Sequence, residues 1–175
     1  TGQPNRKNIG YFPLSKLYTE LQISKFMTNR QRNLNISYNL DSIFRLLVFS
    51  RILFPDSKKK TYENRKRFFE RFHFSLDDVY RSLSLFHRYA DDLKAFMHKQ
   101  VCQRYDRKTD LVFYDVTNYY FEIEQPDELR KRGVSKEHRP NPIVQMGLLM
   151  DQKGLPVTYE LFSGNTNDCE TLMPV

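Results

Sequence analysis

Asp115 is the residue whose setting most strongly suggests chemistry. It interrupts Leu111-Val112-Phe113-Tyr114-Asp115-Val116, a continuous apolar, β-branched and aromatic run of the kind that forms a strand buried on both faces. Period two sets its side chain on the face of Leu111 and Phe113, near the C-terminal end of the predicted strand. An ionised carboxylate buried there is costly unless something compensates it, and a metal ion is one compensator. The other reading that the residues leave open is a carboxylate exposed at the strand end, or capping the following turn through Thr117 or Asn118. His98 and Cys102 stand four apart on a predicted helix, the spacing of half a zinc site, but no second pair follows at ligand spacing. A packed histidine and a buried thiol answer that pattern better. Gly147, Gly154 and Gly164 fall in or between strands, outside any phosphate-cradling pattern. No Ser/His/Asp triad can be argued.

The elements that position these residues change character along the chain. Residues 13–109 carry helical periodicities. Leu40, Ile43, Phe44, Leu47 and Val48 recur at helical spacing behind Asp41, which suits the first turn, and Pro55 ends that helix. Ser75 and Asp78 form a capping-box start ahead of Val79, Leu83 and Phe86. Asp91 and Asp92 open a further helix carrying Leu93, Phe96, Met97 and Val101. From Asp110 the pattern becomes strand-like. Residues 123–142 read as a loop, and 143–150 and 155–162 as two strands joined by Asp151-Gln152-Lys153-Gly154, whose glycine suits a hairpin. A helix is expected near Thr166 or Asn167. The prediction is a mixed α+β chain: a helical region over residues 1–108, then a β-β-β-α start over 109–175. The chain opens at Thr1 without an initiator methionine and closes at Val175 inside a predicted helix, so further residues are expected.

Charge divides at the same place. Residues 1–109 hold 22 Lys and Arg against 10 Asp and Glu, while residues 110–175 hold 6 against 11, and together they make the formal net charge of +7. A basic module joined to an acidic one suits a protein that grips a polyanion with one part and gathers carboxylates for metal ions in the other; a solvated basic surface answers the same imbalance. The densest cationic stretch interleaves Lys58, Lys59, Lys60, Arg65, Lys66 and Arg67 with Phe68, Phe69 and Phe72. On a helix the rings would pack inward and leave the cations outward, facing phosphates. No apolar run approaches the roughly 18 residues of a membrane span, since residues 43–54 are broken by Arg45 and Arg51. The first residues do not read as a signal peptide, because no apolar stretch follows the first basic residues. Two distant cysteines, Cys102 and Cys169, suggest no disulfide framework, which fits a cytoplasmic setting.

Several short motifs stand in order over residues 110–175: Tyr114-Asp115-Val116-Thr117, Tyr120-Phe121-Glu122, Gly133-Val134-Ser135-Lys136, Gln145-Met146-Gly147-Leu148-Leu149, Gly154-Leu155-Pro156 and Phe162-Ser163-Gly164-Asn165-Thr166. This series resembles the bacterial insertion-sequence transposases of the IS-four-like DDE superfamily. The helical part is similar more loosely, at Arg51-Ile52, Pro55 and Ser57-Lys58. The resemblance implies a ribonuclease-H-like catalytic domain whose first acidic ligand is Asp115, and therefore favours the metal-ligand reading of that residue. It implies Mg²⁺ or Mn²⁺ as cofactor, and double-stranded DNA at transposon ends and target sites as partner. A homodimer in a synaptic complex, bacterial cytoplasmic localisation, and DNA strand cleavage and strand transfer in transposition and recombination are likewise implied. It also implies that the second aspartate and the glutamate lie after Val175, because Glu122, Glu160, Asp168 and Glu170 match none of the family's catalytic positions. A fragment holding one carboxylate is then expected to bind metal weakly and to cut nothing, since paired cations roughly 3.5 to 4 Å apart need several oxygen ligands. Two rivals stand beside this reading: a non-catalytic DNA-binding product of a truncated mobile element, and a metal-dependent nuclease of the same fold outside any mobile element. Residues 110–175 alone are expected not to form a stable domain.

Overall fold

A computed structural model describes residues 6–133 and 140–172, and leaves the side chains of residues 168 and 169 aside. The chain forms two compact units, Thr1–Gln100 and Val101–Val175. The first contains helices α1 (Tyr11–Glu20), α2 (Ile23–Gln31), α3 (Leu40–Leu53), α4 (Lys58–Glu63), α5 (Leu76–Arg88) and most of α6 (Ala90–Tyr105). Among the described residues no helix is long and apolar enough to cross a membrane.

Local signals explain where α3 and α5 begin. Asn39 caps α3, its side-chain oxygen accepting from the Ser42 N–H at 2.8 Å. At α5 the expected reciprocal box is present: the Asp78 N–H donates to Ser75 Oγ at 3.1 Å and the Ser75 N–H to Asp78 Oδ2 at 2.8 Å. Those bonds from the Ser75 backbone and hydroxyl hold the Asp78 carboxyl below the usual carboxylate range. On α3 the enclosed apolar positions are Leu40, Ile43, Leu46 and Phe49, with Ser50 enclosed beside them. This differs from the expected stripe, because Phe44 lies on a second contact face and packs edge-on against Phe86 of α5, with ring centroids 5.1 Å apart. A helix covered on two sides buries a wider arc than a single amphipathic stripe.

The basic aromatic stretch departs from its helical expectation. The helix stops at Glu63, a 3₁₀ turn covers Asn64–Arg67, and the backbone becomes extended at Phe68, with φ −90° and ψ 161°. Phe68 is completely buried, its ring 5.3 to 6.4 Å from those of Tyr11, Phe49, Phe54 and Phe72. Extended backbone then turns Phe69 outward, 45% exposed. Inserting one ring into an aromatic core outweighs continuing a helix that would have to place Phe68 and Phe69 on adjacent arcs of the same face.

In the second unit β1 (Val112–Tyr120), β2 (Ile143–Asp151) and β3 (Pro156–Ser163) form one antiparallel meander in the order β1-β2-β3, followed by the short α7 (Asp168–Thr171). Gly154 takes φ +73° in the β2–β3 turn, as the hairpin requires. The turn is held from within. Asp151 Oδ1 accepts the N–H groups of Lys153 and Leu155 at 2.9 and 3.0 Å, and its Oδ2 meets Arg107 Nε at 2.9 Å. Arg107 also donates to the Pro156 carbonyl at 2.7 Å, and Lys153 Nζ to the Tyr105 carbonyl at 3.3 Å. These bonds group the end of α6 and its following segment with the strands, so the second unit starts before the change in composition at Asp110. At the far end of β3 the backbone closes around Gly164, where a Cβ would come within 2.3 Å of the Ile143 and Lys131 carbonyl oxygens. Residues 134–136 of the expected motif series lie outside the described residues.

Candidate functional site

Asp115 is the fourth residue of a nine-residue strand, so it sits mid-strand and not near the C-terminal end. Alternation places Tyr114, Val116, Asn118 and Tyr120 on the better-covered face, and Phe113, Asp115, Thr117 and Tyr119 on the other, where all four are exposed. Strand β1 is at one edge of the sheet. The expectation of a strand buried on both faces is therefore corrected: Leu111 and Phe113 are 54% and 51% exposed. Water reaches the Asp115 carboxylate, so its charge needs no buried compensator, and desolvation cannot argue for a metal there. The alternative of a strand-end cap is corrected too, because Thr117 and Asn118 continue the strand.

What remains is placement. Asp115 faces Leu148 of β2 in register, and Leu148 faces Tyr159 of β3, which puts the carboxylate on an open and largely apolar sheet face. The opposite face carries Glu160, paired in register with Gly147. Tyr114 lies on that covered face, its ring against Gly147, and its hydroxyl is 2.7 Å from Thr171 Oγ1, which ties α7 to the side away from Asp115. Glu170 of α7 is exposed, and Glu122 is exposed beyond the end of β1. Among the described residues no three His, Cys, Asp or Glu side chains are gathered to hold a metal ion. Asp115 has the right donor type for a hard cation, but one carboxylate supplies too few of its oxygen ligands.

The six proposed phosphate-facing cations separate into two groups. Lys58, Lys59 and Lys66 are exposed and have no side-chain partner among the described residues. The others are engaged. Lys60 pairs with Glu63 at 3.6 Å, Arg65 stacks on Tyr62 at 3.9 Å while donating to the Tyr62 carbonyl, and Arg67 lies over Phe54 at 5.5 Å.

Two charge clusters were not visible as partnerships from sequence. In the helical unit Asp41 accepts from Tyr18 Oη at 2.7 Å, Ser24 Oγ at 3.0 Å and Arg45 at 3.3 Å, and Arg45 reaches Glu70 at 3.5 Å. Burial pushes the Glu70 carboxyl up, although Arg45 and the Tyr11 hydroxyl oppose that rise. Burial and the neighbouring Asp41 likewise raise the Tyr18 hydroxyl. In the strand unit burial raises Asp151, but the Leu155 and Lys153 N–H groups and Arg107 prevail and hold it below the usual range. An arginine inside an apolar stretch was the signal for the first cluster. Nothing in the sequence named the partners. No protein-family model, curated protein or solved structure matches the chain.

Proposed function

We propose that this chain is the N-terminal part of a DDE-type transposase of a bacterial insertion sequence, acting in the cytoplasm on double-stranded DNA at transposon ends and target sites. Residues 1–108 grip DNA, and residues 109–175 are the opening strands of a ribonuclease-H-like catalytic domain. The observation that carries the reading is Asp115 projecting from the open face of the first strand of an antiparallel meander, within the Asp-x-Thr context. The unpartnered Lys58, Lys59 and Lys66 support the DNA contact. Metal-dependent strand cleavage and strand transfer need two hard cations, Mg²⁺ or Mn²⁺, each with nearly complete oxygen shells. The described residues alone do not fit that pair, so the reaction requires further carboxylates beside Asp115, and a homodimer forms the synaptic complex.

The solitary position of Asp115 favours one second reading, a non-catalytic DNA-binding product of a truncated element. Two measurements test the readings, and the second separates them. Duplex binding by the chain supports both, and its absence rejects both. Mg²⁺-dependent nicking of transposon-end DNA, by the protein carrying the full carboxylate set, decides between them when it is lost in Asp115→Asn.

A further inference from the structure

Phe12 of α1 and Phe69, which follows the 3₁₀ turn, are 57 residues apart in sequence and lie side by side, with ring centroids at 4.7 Å and planes inclined by 39°. Both remain about half exposed, at 55% and 45%. Large aromatic rings ordinarily go inward, and beneath this pair an aromatic core does so: Tyr11 touches both rings at 5.8 and 5.9 Å and contacts Phe49 and Phe68 below. The support is rigid. The Asn8 N–H donates to the Arg67 carbonyl at 2.8 Å, and Lys7 Nζ donates to the Lys66 and Phe68 carbonyls at 2.8 and 2.7 Å, so the segment before α1 is fastened to the segment that carries Phe69.

The surroundings are cationic. Exposed Lys66, Arg67 and Arg71 flank Phe69 in sequence, while Lys16, one helical turn beyond Phe12, pairs with Glu20 at 3.9 Å. The intervening carboxylate, Glu70, is turned toward Arg45 and the Tyr11 hydroxyl and leaves the rim positive. Exposed rings with a cationic rim match a nucleic-acid strand: every base has a π-face, and every linkage an anionic phosphate. A duplex hides its base faces, so such rings engage bases that have left the helix.

We propose that Phe12 and Phe69 form a stacking platform for unpaired bases of a DNA strand whose phosphates are held by the neighbouring cations. This rests on the DNA-binding reading and sharpens it, assigning the helical unit a preference for frayed or tailed ends over blunt duplex. Two rings make too small an apolar area for a specific protein interface, which buries about 800 Å² per partner.

The chain contains no tryptophan. Phe69→Trp therefore places a single indole in the platform, whose emission reports stacking directly. Titration with a blunt duplex, and with the same duplex bearing a short unpaired tail, should show binding of both. The tailed form should bind about tenfold more tightly, the scale of one stacked base, and it alone should quench the indole. Phe12→Leu/Phe69→Leu should bring the ratio of the two affinities to about one while the protein still unfolds cooperatively. Equal affinity for both DNAs with unquenched emission overturns the platform and leaves duplex binding standing; failure to bind either DNA overturns the DNA-binding reading as well. Concentration-dependent self-association that the leucine pair abolishes, without any tail preference, would assign the rings to a protein contact. If the leucine pair does not fold, the Phe69→Trp quenching decides alone.

Discussion

At Asp115 the carboxylate is exposed on the open sheet face, so Asn in its place disturbs no buried charge and little packing. Asp115→Asn should change unfolding free energy by no more than about 0.5 kcal/mol, as for ordinary surface substitutions. Metal-dependent nicking by the protein with its full carboxylate set should nevertheless disappear, because the charge the cations need has gone. Denaturant unfolding and a plasmid-nicking assay measured side by side test both halves; a large stability loss would mean that the carboxylate has a structural partner. The cations divide in a comparable way. Replacing Lys58, Lys59 and Lys66 by Gln should lower the slope of log affinity against log salt by about 0.9 for each true phosphate contact, with thermal stability unchanged. The same change at Arg65 and Arg67 should also lower the unfolding temperature, because their guanidinium groups stack on Tyr62 and Phe54. Salt titrations of duplex binding, paired with thermal melts, separate the two groups.

Among the elements, the β2–β3 hairpin depends most on one titrating group. Asp151 and Arg107 are both buried, at 2% side-chain exposure each, and every bond that Asp151 makes requires the carboxylate as acceptor. Its folded pKa lies below its unfolded value, so its contribution to stability is fully present above about pH 3.8 and is lost as pH falls through the lowered folded value. The strand unit should therefore lose stability in acid below about pH 3.8, and Asp151→Asn should remove that limb while lowering the unfolding temperature at neutral pH. Thermal melts of the wild type and the variant from pH 2 to pH 7 provide the check. An unchanged acid limb in Asp151→Asn would assign acid sensitivity to other carboxylates.

For the molecule as a whole, the chain divides into two compact units, each with its own surface to account for. In the strand unit Phe113, Tyr119, Tyr159 and Leu161 share one sheet face and are exposed, and an open apolar sheet face pairs readily with another chain. Residues 101–175 expressed alone should associate as concentration rises, and Tyr159→Lys/Leu161→Glu should return them toward monomer. Sedimentation velocity at two concentrations measures this; a wild-type strand unit that stays monomeric throughout would mean that the open face does not drive association.

Much of the local architecture was legible because its causes are local. Asp41 in the first turn of α3, the Ser75–Asp78 box, Pro55 after α3 and Gly154 in the hairpin act within a few residues, so α3, α5, β2 and β3 could be placed from sequence. The sequence alone also identified Asp115 as a carboxylate within a strand, and separated a basic from an acidic half. Tertiary structure decided what those residues face. Period two assigns side chains to two sides of β1 without saying which side is covered, and that choice made Asp115 exposed and Tyr114 a partner of Thr171. It also stopped the basic helix at Glu63 and extended the backbone at Phe68, paired Arg45 with Glu70 across 25 residues and Arg107 with Asp151 across 44, and brought Phe12 to Phe69. Residue type and spacing determine which groups can bond or stack, but partners that distant meet only when the whole chain packs, where burying one aromatic ring outweighs local preference and each buried charge needs its partner.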